Sequence, residues 1–113
     1  MSGISTHVLD LTLGRPAAGV AVRLERESGG VWRRLSQQQT DADGRIAKAL
    51  PPETVLEVGR YRLGFETGAY FRGQGSSCLH PYIEIAFEVD DTAQKYHVPL
   101  LVTAHSYSTY RGS

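Results

Sequence analysis

Ile83-Glu84-Ile85-Ala86-Phe87-Glu88-Val89-Asp90 decides the fold class of this chain. Apolar side chains at 83, 85, 87 and 89 alternate with Glu84, Ala86, Glu88 and Asp90. That period of two, not 3.6, gives a strand with one buried and one solvated face. Working outward, the same alternation returns on both sides. Upstream, Tyr61, Leu63 and Phe65 alternate with Arg62, Gly64 and Glu66, and Val20, Val22 and Leu24 with Ala21, Arg23 and Glu25. Downstream, Tyr96, Val98, Leu100 and Val102 oppose His97, Pro99, Leu101 and Thr103. Ile4–Asp10, Val31–Gln38, Arg45–Ala49 and Ser106–Tyr110 are less regular strand candidates.

Turn chemistry separates these runs. Gly14-Arg15-Pro16, Ser28-Gly29-Gly30, Asp41-Ala42-Asp43-Gly44 and Asp90-Asp91 supply residues that favour tight turns. Only Thr67–Gly73 reads as a helix, short, with Thr67 as its N-cap. About eight short strands predict an all-β sandwich or small barrel. With no repeat, low-complexity tract or linker, residues 1–113 read as a single domain. Leu, Ile, Val and Phe make up 27 of the 113 residues, enough for a packed core rather than a disordered chain. That core is thin, so oligomerisation is expected to add stability.

Twelve basic residues balance twelve acidic ones, leaving no net field to hold nucleic acid or a membrane surface. Cys78 is the only cysteine, which rules out an intrachain disulfide and fits a reducing compartment. No apolar run approaches the ~18 residues that span a bilayer. The first residues, Met1-Ser2-Gly3-Ile4-Ser5-Thr6-His7, lack the basic and apolar regions of a secretory signal, so a cytoplasmic location is expected. Pro99 removes a ladder donor from an otherwise good strand and is expected at an edge or bulge. Ser106-Tyr107-Ser108-Thr109-Tyr110 is hydroxylic on both faces. It suits a wet cleft or subunit interface, or else a plain exposed edge.

Four histidines, His7, His80, His97 and His105, are available for chemistry. None stands at a recognised metal-ligand spacing, so no metal is expected, and no nucleophile elbow, P-loop or dinucleotide fingerprint appears. Taken alone, His7 and His97 read as well as surface or satisfied residues as catalytic bases.

Longer stretches speak more specifically. Ser5-Thr6-His7-Val8-Leu9-Asp10 and Gly14-Arg15-Pro16-Ala17-Ala18-Gly19-Val20 resemble the N-terminal signature of the transthyretin-like family. Thr40-Asp41-Ala42-Asp43-Gly44-Arg45-Ile46 resembles that family's turn with a functional arginine, and Phe65–Phe71 its approach to a short helix. Tyr96-His97-Val98-Pro99-Leu100-Leu101 and the closing Tyr110-Arg111-Gly112-Ser113 are similar to the enzyme branch, the 5-hydroxyisourate hydrolases. The resemblance implies a transthyretin-like sandwich of two four-stranded sheets with one short helix. It also implies a homotetramer, a dimer of dimers, with active sites in the channel where dimers meet. The implied reaction opens 5-hydroxyisourate to 2-oxo-4-hydroxy-4-carboxy-5-ureidoimidazoline in urate degradation, with no cofactor. The implied catalytic residues are His7, Arg45 and His97, and Tyr110 and Ser113 join His7 and Arg45 in binding substrate. The alternative is the family's other branch, a non-catalytic carrier of small aromatic ligands. His105 and Cys78-Leu79-His80 depart from the commonest family pattern, which touches loops rather than these motifs.

Overall fold

The computed structural model describes residues 3–113. Met1 and Ser2, the start of the stretch read for a secretory signal, lie outside the described residues. In chain order the elements are β1 (Gly3–Asp10), β2 (Arg15–Pro16), β3 (Ala21–Ser28), β4 (Val31–Gln39), β5 (Arg45–Ile46), β6 (Gly59–Phe65), α1 (Thr67–Gly73), β7 (Ile83–Val89), β8 (Lys95–Val102) and β9 (Tyr107–Thr109). They form two sheets. One runs β4-β3-β6-β7, and the other runs β2-β1-β8-β9 with β5 also on β1. The second sheet therefore has five strands rather than the four expected. Because β8 occupies one side of β1 along its whole length, β2 and β5 share the other side, and the sheet is four positions wide.

Alternation is what makes the sandwich. Ile4, Val8, Val22, Leu24, Leu63, Phe65, Val98 and Leu100 are buried between the sheets, as their period of two requires. In β7 the ends, Ile83 and Val89, are buried, whereas Ile85 and Phe87 are half-buried because the strand is an edge of its sheet. Two core tyrosines satisfy their hydroxyls at the rim. Tyr61 donates to Glu57 O at 2.9 Å and Tyr96 to Asp90 Oδ1 at 2.8 Å. The outer face of the β4-β3-β6-β7 sheet is charged. Arg23 bridges Glu66 (2.6 Å) and Glu84 (3.1 Å), and Arg62 meets Glu25 (2.8 Å). Surface pairs of this kind contribute at most ~1 kcal/mol each, so they solubilise this face more than they hold it.

Four local expectations need correction. Gly14-Arg15-Pro16, read as turn, supplies β2, because Leu9 and Asp10 offer it a partner. The strand read over Arg45–Ala49 is only Arg45–Ile46, since β1 pairs with it at just Thr6 and His7. Thr67 is not the N-cap. Glu66 takes that position without a side-chain bond, and the Thr67 hydroxyl is buried inside the first turn with no partner among the described residues. Pro99 lies in an interior strand, between β1 and the C-terminal segment, not at an edge. Its missing donor is accommodated in a gap. The β8–β9 ladder stops at Leu100–Thr109 and resumes only at His97–Gly112, leaving the proline step between them unpaired.

Candidate active site

Residues paired directly across neighbouring strands present their side chains on one face. The pairs Ser5–His97, His7–Pro99 and His7–Arg45 therefore bring Ser5, His7, Arg45 and His97 to the outer face of the β2-β1-β8-β9 sheet. Their neighbours Thr6, Val8 and Val98 point into the core. Arg45 owes its place to the turn before it. Asp41 Oδ1 accepts the backbone N–H groups of Asp43 and Arg45 at 2.9 Å each, and Val8 N–H donates to Gly44 O at 2.7 Å. Gly44 has φ +74°, and a Cβ there would stand 2.5 Å from Val8 O. Only glycine fits that close approach.

Around these residues lies an open cleft of about 150 Å³. Ser5, Arg45, Lys95, His97 and Ser113 line it, together with Ile46. Of the residues expected at the site, Arg45, His97 and Ser113 meet here. His7 stands beside the cleft on the same face, its Nε2 donating to Asp43 O at 2.9 Å. A carbonyl only accepts, so that nitrogen carries the proton and Nδ1 is the open one. Tyr110 does not line the cleft. The register joining His97 to Gly112 and Leu100 to Thr109 sets it opposite Pro99, with its ring exposed. β9 itself is an exposed edge in this single chain. Arg111 turns away, donating to Gln94 Oε1 at 2.7 Å and stacking over Tyr96.

The His97 ring is held on two sides. Its Nδ1 lies 2.8 Å from Ser5 Oγ, and Gly112 packs against Cδ2, where a Cβ would come within 2.5 Å. The backbone agrees, with Gly112 N–H donating to His97 O at 2.8 Å. Burial, and then the charges of Lys95, Arg45 and His7, push the His97 pKa below the ordinary imidazole value. The ring is thus neutral near pH 7. Among the described residues no carboxylate lies within ion-pair distance of the Arg45 guanidinium. A neutral base and an uncompensated cation on one cleft wall suit attack of water on a carbonyl whose oxygen gains charge.

Ser5 and Lys95 were not anticipated. Their signal was available, since each stands two residues from a site histidine and so shares its face. A second hollow, about 120 Å³ beside α1, holds one carboxylate, Asp10. Its oxygens are already taken by Thr12 N–H (2.9 Å), Leu13 N–H (3.1 Å) and the Tyr70 hydroxyl (2.8 Å). Burial, with Asp10 alongside, pushes the Tyr70 pKa up to about 12. Among the described residues no group of three or more His, Cys, Asp or Glu gathers as a metal site.

The His97 shift predicts a titration. By NMR, its imidazole should titrate below the ordinary ~6.5, and Lys95→Gln should move that midpoint upward by removing one neighbouring cation. Between the folded and unfolded values the unfolded chain binds the extra proton. Stability from this residue therefore falls as pH drops through that window.

The fold and this site define a two-sheet β-sandwich that carries a histidine–arginine cleft on the outer face of one sheet. The chain matches the family described as HIUase/Transthyretin family over residues 4–112, and it belongs to that family. It is 46% identical to the 5-hydroxyisourate hydrolase of Caulobacter vibrioides over 117 residues, covering all of both chains. The solved 5-hydroxyisourate hydrolase of Klebsiella pneumoniae superposes with a TM-score of 0.87 at 40% identity, over 99% of this chain and all of that one. Sea bream transthyretin, solved with thyroxine, superposes with a TM-score of 0.90 at 31% identity, over 96% of this chain and 93% of that one. Backbone shape is thus shared with both branches.

Proposed function

We propose that this chain is a 5-hydroxyisourate hydrolase, opening a cyclic amide of its substrate to 2-oxo-4-hydroxy-4-carboxy-5-ureidoimidazoline in urate degradation. One observation carries the reading: Arg45 and a neutral His97 converge on one cleft, with His7 beside it. The fold alone serves a carrier equally well, so the choice rests on the site.

His7 and His97 together activate water and move its proton. As water adds to the lactam carbonyl, a C–O bond forms and the carbonyl oxygen becomes an oxyanion beside the Arg45 guanidinium. The ring C–N bond then breaks, and the proton taken from water passes to the departing nitrogen. Ser113, at the cleft, completes substrate binding, and Tyr110, opposite Pro99 on the same face, meets the substrate from outside the cleft. Water supplies the proton, and the chain's own side chains relay it and hold the developing charge, so no cofactor or metal is assigned. Residues 1–113 act as one hydrolase domain.

The cleft is open to solvent, and Leu11 and Leu13 stand about half exposed in the turn after β1. Both features support assembly as a homotetramer in which a second copy covers the site. The lone cysteine supports a cytoplasmic location. Among the described residues no helix is long and apolar enough to cross a membrane.

The test is the ultraviolet decay of freshly generated 5-hydroxyisourate with and without the protein. Acceleration that survives chelation is expected, and an unchanged decay would overturn the reading. Gly112 offers a further check. Gly112→Ala places a methyl against the His97 ring and should lower kcat at least tenfold while the melting temperature moves little. Full activity in that variant would remove the C-terminal segment from the site.

A further inference from the structure

We propose that Ser5 is a positioning residue for the reacting imidazole: its hydroxyl accepts the Nδ1 proton of His97 and so presents Nε2 to the cleft. The inference rests on the reading of His97 as a site base.

Ser5 is 4% exposed although it belongs to the outer face of its sheet, so its hydroxyl is committed to the site rather than to bulk water. The bond to His97 Nδ1 is 2.8 Å and is the one side-chain hydrogen bond that either residue makes among the described residues. The charged and titratable groups acting on His97 are Lys95 on its own strand, Arg45 on β5 and His7 on β1. The C-terminal segment brings Gly112 and Ser113, while Arg111 is turned to Gln94. A carboxylate partner would favour the imidazolium and raise its pKa, and a base must arrive neutral. A hydroxyl fixes the ring without adding charge, and in the proposed role of acceptor from Nδ1–H it selects the tautomer with Nε2 bare. Gly112 against Cδ2 completes the clamp, because turning the ring over would bring a carbon to Ser5 and lose the bond.

Three substitutions and two readouts test this. Nitrogen-15 NMR of unaltered protein at neutral pH should show His97 protonated at Nδ1 and bare at Nε2. Ser5→Ala should mix the tautomers and lower kcat about three- to tenfold, the worth of one neutral hydrogen bond, with KM nearly unchanged. Ser5→Thr should restore both. Ser5→Asp should move the acid limb of the pH–rate profile upward. An Nε2–H tautomer in the unaltered protein, an unchanged tautomer in Ser5→Ala, or an unmoved acid limb in Ser5→Asp would each overturn the proposal. Absence of hydrolysis by the unaltered protein would overturn the functional reading instead, and the tautomer measurement would still decide the role of Ser5.

Discussion

His97→Ala should lower kcat for 5-hydroxyisourate by ~10²–10⁴-fold, the range a positioned general base supplies. His97 has the attributes of such a base: a partly buried ring, a pKa held low by burial and by neighbouring cations, and Nδ1 already engaged by Ser5. His7→Ala should also lower kcat, because its open Nδ1 stands beside the same cleft. The double variant decides whether the two rings form one unit. If they share the proton transfer, the combined loss should be much smaller than the product of the single losses. Losses that simply multiply would show two independent roles. Both side chains stand on the outer face of the sheet, so thermal melting should report a folded sandwich in all three variants.

Arg45→Lys is the second large effect, with an expected loss of ~10²–10³-fold in kcat, the cost of removing one oxyanion donor. Lysine keeps the charge but loses the planar fork, and its ammonium cannot offer two fixed donors to a developing oxyanion. The Asp41-centred turn holds the backbone of Arg45 from outside the cleft, so the turn itself should survive the change. Steady-state kinetics separates the contributions. A fall in kcat with little change in KM marks stabilisation made in the transition state, whereas a rise in KM alone marks substrate binding. Full activity in Arg45→Lys would reduce the residue to a point charge.

How much of this was legible beforehand differs by element. Four strands, β3, β6, β7 and β8, follow from local pattern, because a period of two carries its own instruction about which side is buried, whereas β1, β4 and β9 were legible only as less regular candidates. Arg15–Pro16 was not legible, because a two-residue strand exists only where another strand offers it a partner. The helix at Thr67–Gly73 was found but its cap was not. A threonine before an apolar run resembles a cap, yet tertiary packing draws Thr67 into the first turn and buries its hydroxyl. Pro99 misled for a related reason. The cost of a missing donor depends on what lies opposite, and opposite Pro99 the ladder is open.

By itself the sequence determined the regular strands and their buried faces, and it supplied the side chains of the candidate site, since these depend on local alternation and on residue chemistry. It also carried the motifs that placed His7, Arg45 and His97 in one family pattern. Tertiary structure alone decided what those side chains do to one another. Ser5 and His97 are 92 residues apart and become neighbours only because β1 and β8 pair in parallel in one register. A shift of one residue would turn His97 into the core and Val98 to solvent. The lowered His97 pKa and the fixed ring arise from Lys95, Arg45, His7, Ser5 and Gly112 gathering around it. Electrostatics and hydrogen bonds act through space, and separation along the chain does not encode those distances.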